Sequence, residues 1–376
     1  MVSRRMVLGA GLGGLALAGA GGVWRVTRVP ETAYEPWNPD AATVTDDIRL
    51  DAFRHAILAP NPHNRQPWVI RLVGDEEAEI SCDLDKRLPA TDPFDRQITI
   101  GFGTFLEIAR IAAAERGFAV DTELFPDGEA QPRLDKRPVA RMTFNKSEKP
   151  DTDLLFSAIT QRRSNKEVYD LSRKISDIQL ETVAIDGGSW STDPQFIGRM
   201  RAEILKAIET EMLTHHTNME SVELMRIGYD EIDANPDGID LGGPMIEAGK
   251  LAGQINRGQL ADPGSRASQI GREQLAETYG SIPSLFWITT PANTRADQIE
   301  AGRQYVRANL HATKLGLSMH PMSQTLQEYE EVSPQYAAVH NLLGAQEGER
   351  VQMLARIGYG PMIGPSPRWP LETHLR

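Results

Sequence analysis

The chain repeats itself. Residues 96–117, moved 199 positions along, fall on 295–316 with six identities: Arg96 on Arg295, Ile100 on Ile299, Gly103 on Gly302, Ala109 on Ala308, Ala113 on Ala312 and Gly117 on Gly316. Both copies place small residues four apart, one above another on a helical face, and both stop at a glycine, an ordinary helix end. Small residues at this spacing let a second backbone or a flat ligand come close. The flanks repeat as well. A strand-like piece follows each copy, Val139-Ala140-Arg141-Met142 and Leu354-Ala355-Arg356-Ile357, and a similar helix end precedes each, Ala56-Ile57 and Ala158-Ile159. Alternation predicts a strand at Ala78–Leu84, and the apolar run between Pro283 and Pro291 predicts another at Leu285–Thr290. The chain is therefore constrained to two related α+β halves, 46–150 and 151–376. The extra length of the second half falls at about 200–280, a helical and then Asp/Gly/Pro-rich insertion.

Composition narrows the function classes. The chain has 40 basic and 52 acidic residues and a formal net charge of −12, which argues against a broad nucleic-acid surface. Its single cysteine, Cys82, excludes an internal disulfide and any multi-cysteine metal site. His215-His216 lies near Glu211 but has no H-E-x-x-H pattern around it, so a surface pair is the expectation and no metal is assigned.

Residues 1–29 form a separate segment. Ser3-Arg4-Arg5 precedes an uncharged run from Met6 to Trp24, the layout of an export signal, and the paired arginines fit the twin-arginine route, which carries folded proteins. Ala18-Gly19-Ala20 offers a small-residue cleavage site, and an uncleaved anchor through residues 6–24 is the alternative. Gly9, Gly11 and Gly14 match G-x-G-x-x-G, but arginines stand where a dinucleotide fingerprint needs a strand before and an acid after. Residues 30–45, with Pro30, Pro36 and Pro39, read as a linker.

Two segments carry candidate chemistry. Gln161-Arg162-Arg163-Ser164-Asn165-Lys166 gathers three cations and a hydroxyl, a donor set suited to phosphate oxygens. Read alone, it is better taken as a solvated charged helix end. In Ala59-Pro60-Asn61-Pro62-His63-Asn64-Arg65-Gln66-Pro67-Trp68, three prolines hold the segment out of helix, so Asn64 and Gln66 present amides on a rigid loop. Read alone, this is equally a plain loop leading into a strand at Trp68–Val73.

Together, these segments resemble the FMN-dependent nitroreductase superfamily, in which an Arg-x-Ser-type motif holds the FMN phosphate and an Asn-x-Gln-Pro-Trp segment of the partner subunit meets the flavin. The resemblance extends to His320-Pro321-Met322-Ser323-Gln324, to Arg356-Ile357-Gly358-Tyr359-Gly360 and to Arg368-Trp369-Pro370. With its tandem halves, the chain looks most like the single-chain Acg-like group, two halves resembling a fused homodimer. It departs from a symmetric dimer. The first half has no Arg-Arg-Ser, and the second has only Gly187-Gly188-Ser189-Trp190 where Asn-x-Gln-Pro-Trp would stand.

The resemblance implies a nitroreductase-like fold and one FMN per chain, between the halves. Arg162, Arg163, Ser164, Lys166 and Arg368 would hold the phosphate. Pro60, Asn61, Pro62, Asn64 and Gln66 would meet the ring, and the main chain of Pro321, Met322, Ser323 and Gln324 would face its redox edge. A monomer would suffice for FMN binding. The implied activity is electron transfer to a small acceptor such as a nitroaromatic or quinone, and the alternative is flavin sequestration beneath an insertion that closes as a lid. Export would place the protein in the periplasm or at the outer face of the cytoplasmic membrane, with the twin-arginine machinery as a partner.

Overall fold

The computed structural model describes residues 30–39 and 46–376, so the export signal and anchor expected within 1–29 lie outside the described residues. Among the described residues no helix is long and apolar enough to cross a membrane.

The fold is α+β and is built twice. In the first half, α1 (Ile48–Ala56) leads to strands β1 (Trp68–Val73) and β2 (Glu77–Cys82), helix α2 (Arg96–Glu115), and strands β3 (Phe118–Leu124) and β4 (Ala140–Lys146). These strands form one antiparallel sheet in the order β1-β2-β4-β3. The second half replaces α1 with the short 3-10 turn Phe156–Ala158 and adds α3 (Asp177–Val183) before β5 (Ser189–Ser191). The insertion follows, with helices α4 (Pro194–Leu213), α5 (His215–Leu224), α6 (Tyr229–Ala234), α7 (Pro244–Leu251), α8 (Arg257–Ala261) and α9 (Arg266–Gly280), and short parallel strands β6 (Met225–Ile227) and β7 (Ile239–Leu241). Then come β8 (Ser284–Thr290), α10 (Arg295–Lys314), β9 (Ser318–Pro321), α11 (Ser333–Leu342) and β10 (Arg350–Gly358). The second sheet runs β5-β8-β10-β9, the order of the first sheet strand for strand. Trp190 thus occupies the strand equivalent to that of Trp68. The insertion sits inside a hairpin that residues 74–76 close tightly in the first half.

The repeated helices pack on each other through their repeated residues. A Cβ on Gly103 would lie 2.0 Å from the Ile299 carbonyl oxygen, and one on Gly302 would lie 2.1 Å from that of Ile100. Only glycine permits this backbone contact. The repeated arginines cross between the halves. Arg96, 1% exposed, donates to Glu328, Gln352 and Leu326. Arg295, equally buried, donates to the carbonyls of Phe94, Ala130 and Pro132. The first-half core also takes in Ile299, Val306 and Leu310 from α10, so the halves share apolar surface. The C-terminus returns to the first half. Leu375 bridges to Ile70 beside β1, and His374 Nδ1 lies 3.0 Å from the Trp68 carbonyl oxygen.

Residues 30–45, read as a linker from their prolines, differ in their described part. Thr32–Trp37 forms a 3-10 turn with Ala33 and Trp37 buried, because the turn packs on α6 and on the C-terminal segment.

The insertion is fastened to the first half through charge. The Asp237 carboxylate, 1% exposed, accepts from Arg226 at 2.5 Å, from Lys86 and, at 3.4 Å, from Arg65. These cations hold it below the usual carboxylate range against the opposing effect of burial. Glu220 accepts from the Ala90 and Thr91 amides at 2.8 and 3.0 Å and from the Thr91 hydroxyl at 2.6 Å. Asp237→Asn leaves three cations facing one another with no compensating charge. Because Lys86 and Arg226 keep some solvent, the expected loss is about 2–3 kcal/mol rather than the full cost of breaking a buried pair. A thermal melt checks the loss, and limited proteolysis should show earlier cutting within 225–241.

Candidate functional site

Three guanidinium groups meet at the end of α1, between the halves. Arg162 and Arg163 follow the turn Phe156–Ala158 of the second half, and Arg368 arrives from the C-terminal segment. Arg162 Nη2 donates to the Leu58 carbonyl at 2.9 Å and Nη1 to Asn309 Oδ1 at 3.3 Å. Arg368 donates to the carbonyls of Ile57, Leu58 and Ala59 at 3.0, 3.3 and 3.3 Å, and to Asn64 Oδ1 at 2.5 Å. Arg163 donates only within its own segment, to Thr160 and Arg162 carbonyls at 2.8 Å each.

None of the three forms an ion pair with a carboxylate among the described residues, and the Nε atoms of Arg162 and Arg163 are buried without any partner. Such atoms are costly to leave unmade and call for an acceptor. Burial, reinforced by the neighbouring guanidiniums, lowers Arg162 to about 10 and Arg368 to about 9, which leaves both charged at neutral pH. An anion at this point would satisfy the free donors and relieve the mutual repulsion.

An open groove of about 870 Å³ lies elsewhere, lined by charged residues of α2 and α10 together with Asp151, Asp153 and Asp186. Its charges pair with one another: Arg307 reaches Glu107, Asp153 and Asp186 at 3.0, 2.6 and 3.0 Å, and His311 reaches Asp186 at 3.0 Å. Unmet donors distinguish the arginine cluster from this self-paired groove. The chemistry of the cluster is the stronger indicator.

The remaining expected residues divide. Ser164 bridges to Met319 on the edge of the second sheet, which fixes the path of the Arg-Arg-Ser segment. Lys166 is exposed and acts electrostatically on His63, His320 and Asp240, which come from the first half, the second half and the insertion. Burial first, then Lys166, lowers His63 to about 4. His320 is lowered well below the ordinary histidine value by burial, Arg356 and Lys166. Both rings are neutral at neutral pH.

The polar loop between Pro60 and Gln66 is placed as expected but faces inward. His63, Asn64 and Gln66 hold φ of 46°, 52° and 51°, a left-handed conformation that non-glycine residues adopt only when their surroundings impose it. Asn61 Oδ1 accepts from the Gln66 amide, and Pro60 and Pro62 form the wall beside Thr104 and Gly101. The side chains of Asn64 and Gln66 are already bonded. Asn64 donates to the Pro367 carbonyl at 2.9 Å and accepts from Arg368. Gln66 donates to the Pro236 carbonyl at 2.8 Å and accepts from the Trp369 amide at 2.9 Å. Both side chains expected to meet the ring are thus engaged by the insertion and the C-terminal segment, with one N–H of Asn64 still without a partner.

Met322 likewise uses its N–H on the Leu354 carbonyl at 2.8 Å, and Pro321 has none. Ser323 and Gln324 open the 3-10 turn Ser323–Leu326, so of the segment 321–324 they alone can turn amide groups outward. Beneath that turn, Glu211 of the insertion accepts from Gln327 at 2.9 Å and Ser221 at 3.2 Å, and burial raises its carboxyl above the usual range.

Sequence reasoning missed Trp37, His63 and Asp240. Trp37 lay in a proline-rich stretch, His63 was read only as part of its loop, and Asp240 had no neighbouring motif.

Comparison with known proteins bears on this geometry. No protein-family model matches the chain. In sequence it is similar to mycobacterial proteins over most of its length. It is 27% identical over 353 residues, 89% of this chain and 93% of the relative, to the Mycobacterium tuberculosis protein named "Putative NAD(P)H nitroreductase Rv3131". Over 89 residues, 24% of this chain and 26% of the relative, it is 36% identical to the similarly named acg protein of the same organism. Among solved structures, a nitroreductase with bound FMN from Bacteroides fragilis aligns over 57% of this chain and 93% of its own, at 13% identity and a TM-score of 0.34. The FMN-dependent nitroreductase NfnB from Mycobacterium smegmatis, in complex with NADPH, aligns over 55% and 92% at 13% identity and a TM-score of 0.32.

Proposed function

We propose that this chain is an FMN-dependent oxidoreductase of the nitroreductase type, with one FMN site formed between its two halves, 46–150 and 151–376. The observation that carries the reading is the group of three guanidiniums without a carboxylate ion pair among the described residues, two of them held on carbonyls of the opposite half and two with a free buried Nε. The similarity to mycobacterial proteins named as nitroreductases supports it.

Arg162, Arg163 and Arg368 hold the phosphate, with Ser164 positioning the segment and Lys166 adding charge. FMN, when bound, supplies two-electron chemistry between a reduced donor and a small acceptor such as a nitroaromatic or quinone. The chain supplies position and electrostatics. The wall Pro60–Pro62 and the turn at Ser323-Gln324 lie on either side of the boundary, and neutral His63 and His320 keep the region near Lys166 from gathering further positive charge.

Anaerobic titration of the purified chain with FMN, followed by NADPH, NADH or a soluble quinol, tests the reading. One flavin per chain that is reduced by a donor and reoxidised by an acceptor supports it. No flavin uptake, or two flavins per chain, removes it. Binding undiminished by dilution to monomer fits a site made within one chain.

A second reading has its own observation. The insertion is bonded directly to the Asn61–Gln66 loop, through Gly238 N–H to the Asn64 carbonyl and Gln66 to that of Pro236. An insertion fixed there sequesters flavin without turnover, and bound FMN that no donor reduces is its signature.

For residues 1–29 the proposal is twin-arginine export, to the periplasm or the outer face of the cytoplasmic membrane. Replacing Arg4-Arg5 by Lys-Lys should retain the protein in the cytoplasm, as fractionation would show.

A further inference from the structure

The arginine cluster has a wall that neither half provides. Trp37 comes from the segment ahead of both halves, and its ring lies 4.4 Å from the Arg163 guanidinium carbon, 5.3 Å from that of Arg368 and 5.8 Å from that of Arg162. Three cations on one indole fix its place by cation–π attraction. The indole N–H donates to the Ser366 carbonyl at 2.7 Å, and the Arg368 N–H donates to that of Ala33 at 2.8 Å. Farther along, Thr32 donates to Asp233 at 3.2 Å, and Ala33 packs with Tyr229 and Ile232 of α6. The segment Thr32–Trp37 is thus a strap held at the C-terminal segment, at the insertion and on the guanidiniums.

The strap closes what it covers. Trp37 is 8% exposed, Ala33 1%, and Arg162 and Arg368 2% each. An indole stacked on a guanidinium covers its face and leaves its edge N–H groups available. The free Nε atoms of Arg162 and Arg163 belong to that edge. Cationic edges beside a fixed aromatic face suit an anion that ends there. A phosphate monoester ends there. A phosphate carrying a second substituent must continue past the guanidiniums, against which Trp37 and its turn are packed.

We propose that Trp37 determines the specificity of this cluster, limiting it to ligands that end in a phosphate monoester, and that Thr32–Trp37 must swing aside for such a ligand to enter or leave. The proposal rests on the reading of the arginine cluster as a phosphate pocket. It predicts discrimination between a mononucleotide and a dinucleotide flavin, and slow exchange of the former.

The test measures equilibrium binding of FMN, FAD and riboflavin to the full chain and to Trp37→Ala and Trp37→Phe, with FMN release followed after rapid dilution. The unaltered chain should prefer FMN to FAD by about tenfold or more, and Trp37→Ala should erase most of that preference while releasing FMN about tenfold faster. Trp37→Phe should keep the preference. Asp233→Ala loosens the strap at an exposed anchor and should speed FMN release even if Trp37→Ala fails to fold. Equal binding of FMN and FAD by the unaltered chain overturns the proposal, as does a preference and release rate unchanged in Trp37→Ala and Asp233→Ala. A folded chain that binds no FMN in any form removes the phosphate pocket itself, and the wall with it. FMN binding without discrimination removes only the wall.

Discussion

Gly302→Ala should cost this protein its folded state or lower its melting temperature by roughly 4 °C or more. The added Cβ would lie 2.1 Å from the Ile100 carbonyl oxygen and 2.9 Å from the Gly103 Cα, and both are backbone atoms of a helix that cannot turn aside as a side chain can. Separating α2 and α10 to make room would loosen the apolar contacts of Ile299, Val306 and Leu310 with the first-half core, so the expected cost is upward of about 3 kcal/mol. The control is Gly198→Ala in the body of α4, where a Cβ meets nothing within 4 Å. That change should be neutral or stabilising by up to about 1 kcal/mol, because alanine is the better helix former. Parallel melts of the two variants decide the matter. Equal effects would mean that the close approach of α2 and α10 does not hold the halves together. Gly302→Ala should also weaken ligand binding, because Arg162 and Arg368 are anchored on carbonyls of the opposite half and the cluster depends on that spacing.

The same glycines explain why so much of the fold was legible. Arg96/Arg295, Ile100/Ile299 and Gly103/Gly302 line the contact between the repeated helices or brace its ends, where both copies answer to one geometry. Elsewhere the copies have diverged with their surroundings. Arg141 of β4 lies on a partly exposed face, paired with Glu79 at 2.9 Å. Its counterpart Arg356 is fully buried, and donates to Glu167 and Thr278 carbonyls and to His320. The candidate site was proposed at Arg162 and Arg163 from charge type joined to the family resemblance, and at Arg368 from the resemblance alone. It was not legible where a long-range partner decided the outcome. Gln66 read as a free amide because Pro236 is 170 residues away and Trp369 is 303 away. Trp37 read as part of a linker because its three cationic neighbours and its acceptor Ser366 all lie more than a hundred residues downstream. Proline spacing describes a local path, and burial is a property of what arrives from elsewhere.

Arg163 separates binding from folding more cleanly than its neighbours do. Removing Arg368 would take a donor from the carbonyls of Ile57, Leu58 and Ala59, and removing Arg162 would leave Leu58 only the longer bond from Arg368. Arg163 donates only to Thr160 and Arg162 within its own segment, and its Nε has no partner. Arg163→Ala should therefore fold normally and weaken FMN binding by about 10- to 100-fold, the loss of a charge-assisted contact worth roughly 1.5–3 kcal/mol. Riboflavin, which lacks the phosphate, should bind the variant and the unaltered chain alike. Arg163→Lys should recover only part of the loss, because an ammonium keeps the charge but not the planar edge that an oxygen anion meets. Fluorescence titration with both flavins, beside a melt, measures all of this. If FMN and riboflavin weaken together, Arg163 supports the ring side of the site or the fold rather than a phosphate. If neither weakens, the unpaired guanidinium is not part of a flavin site. Selective loss of the phosphorylated ligand alone ties the free donors of this cluster to the chemistry assigned to it.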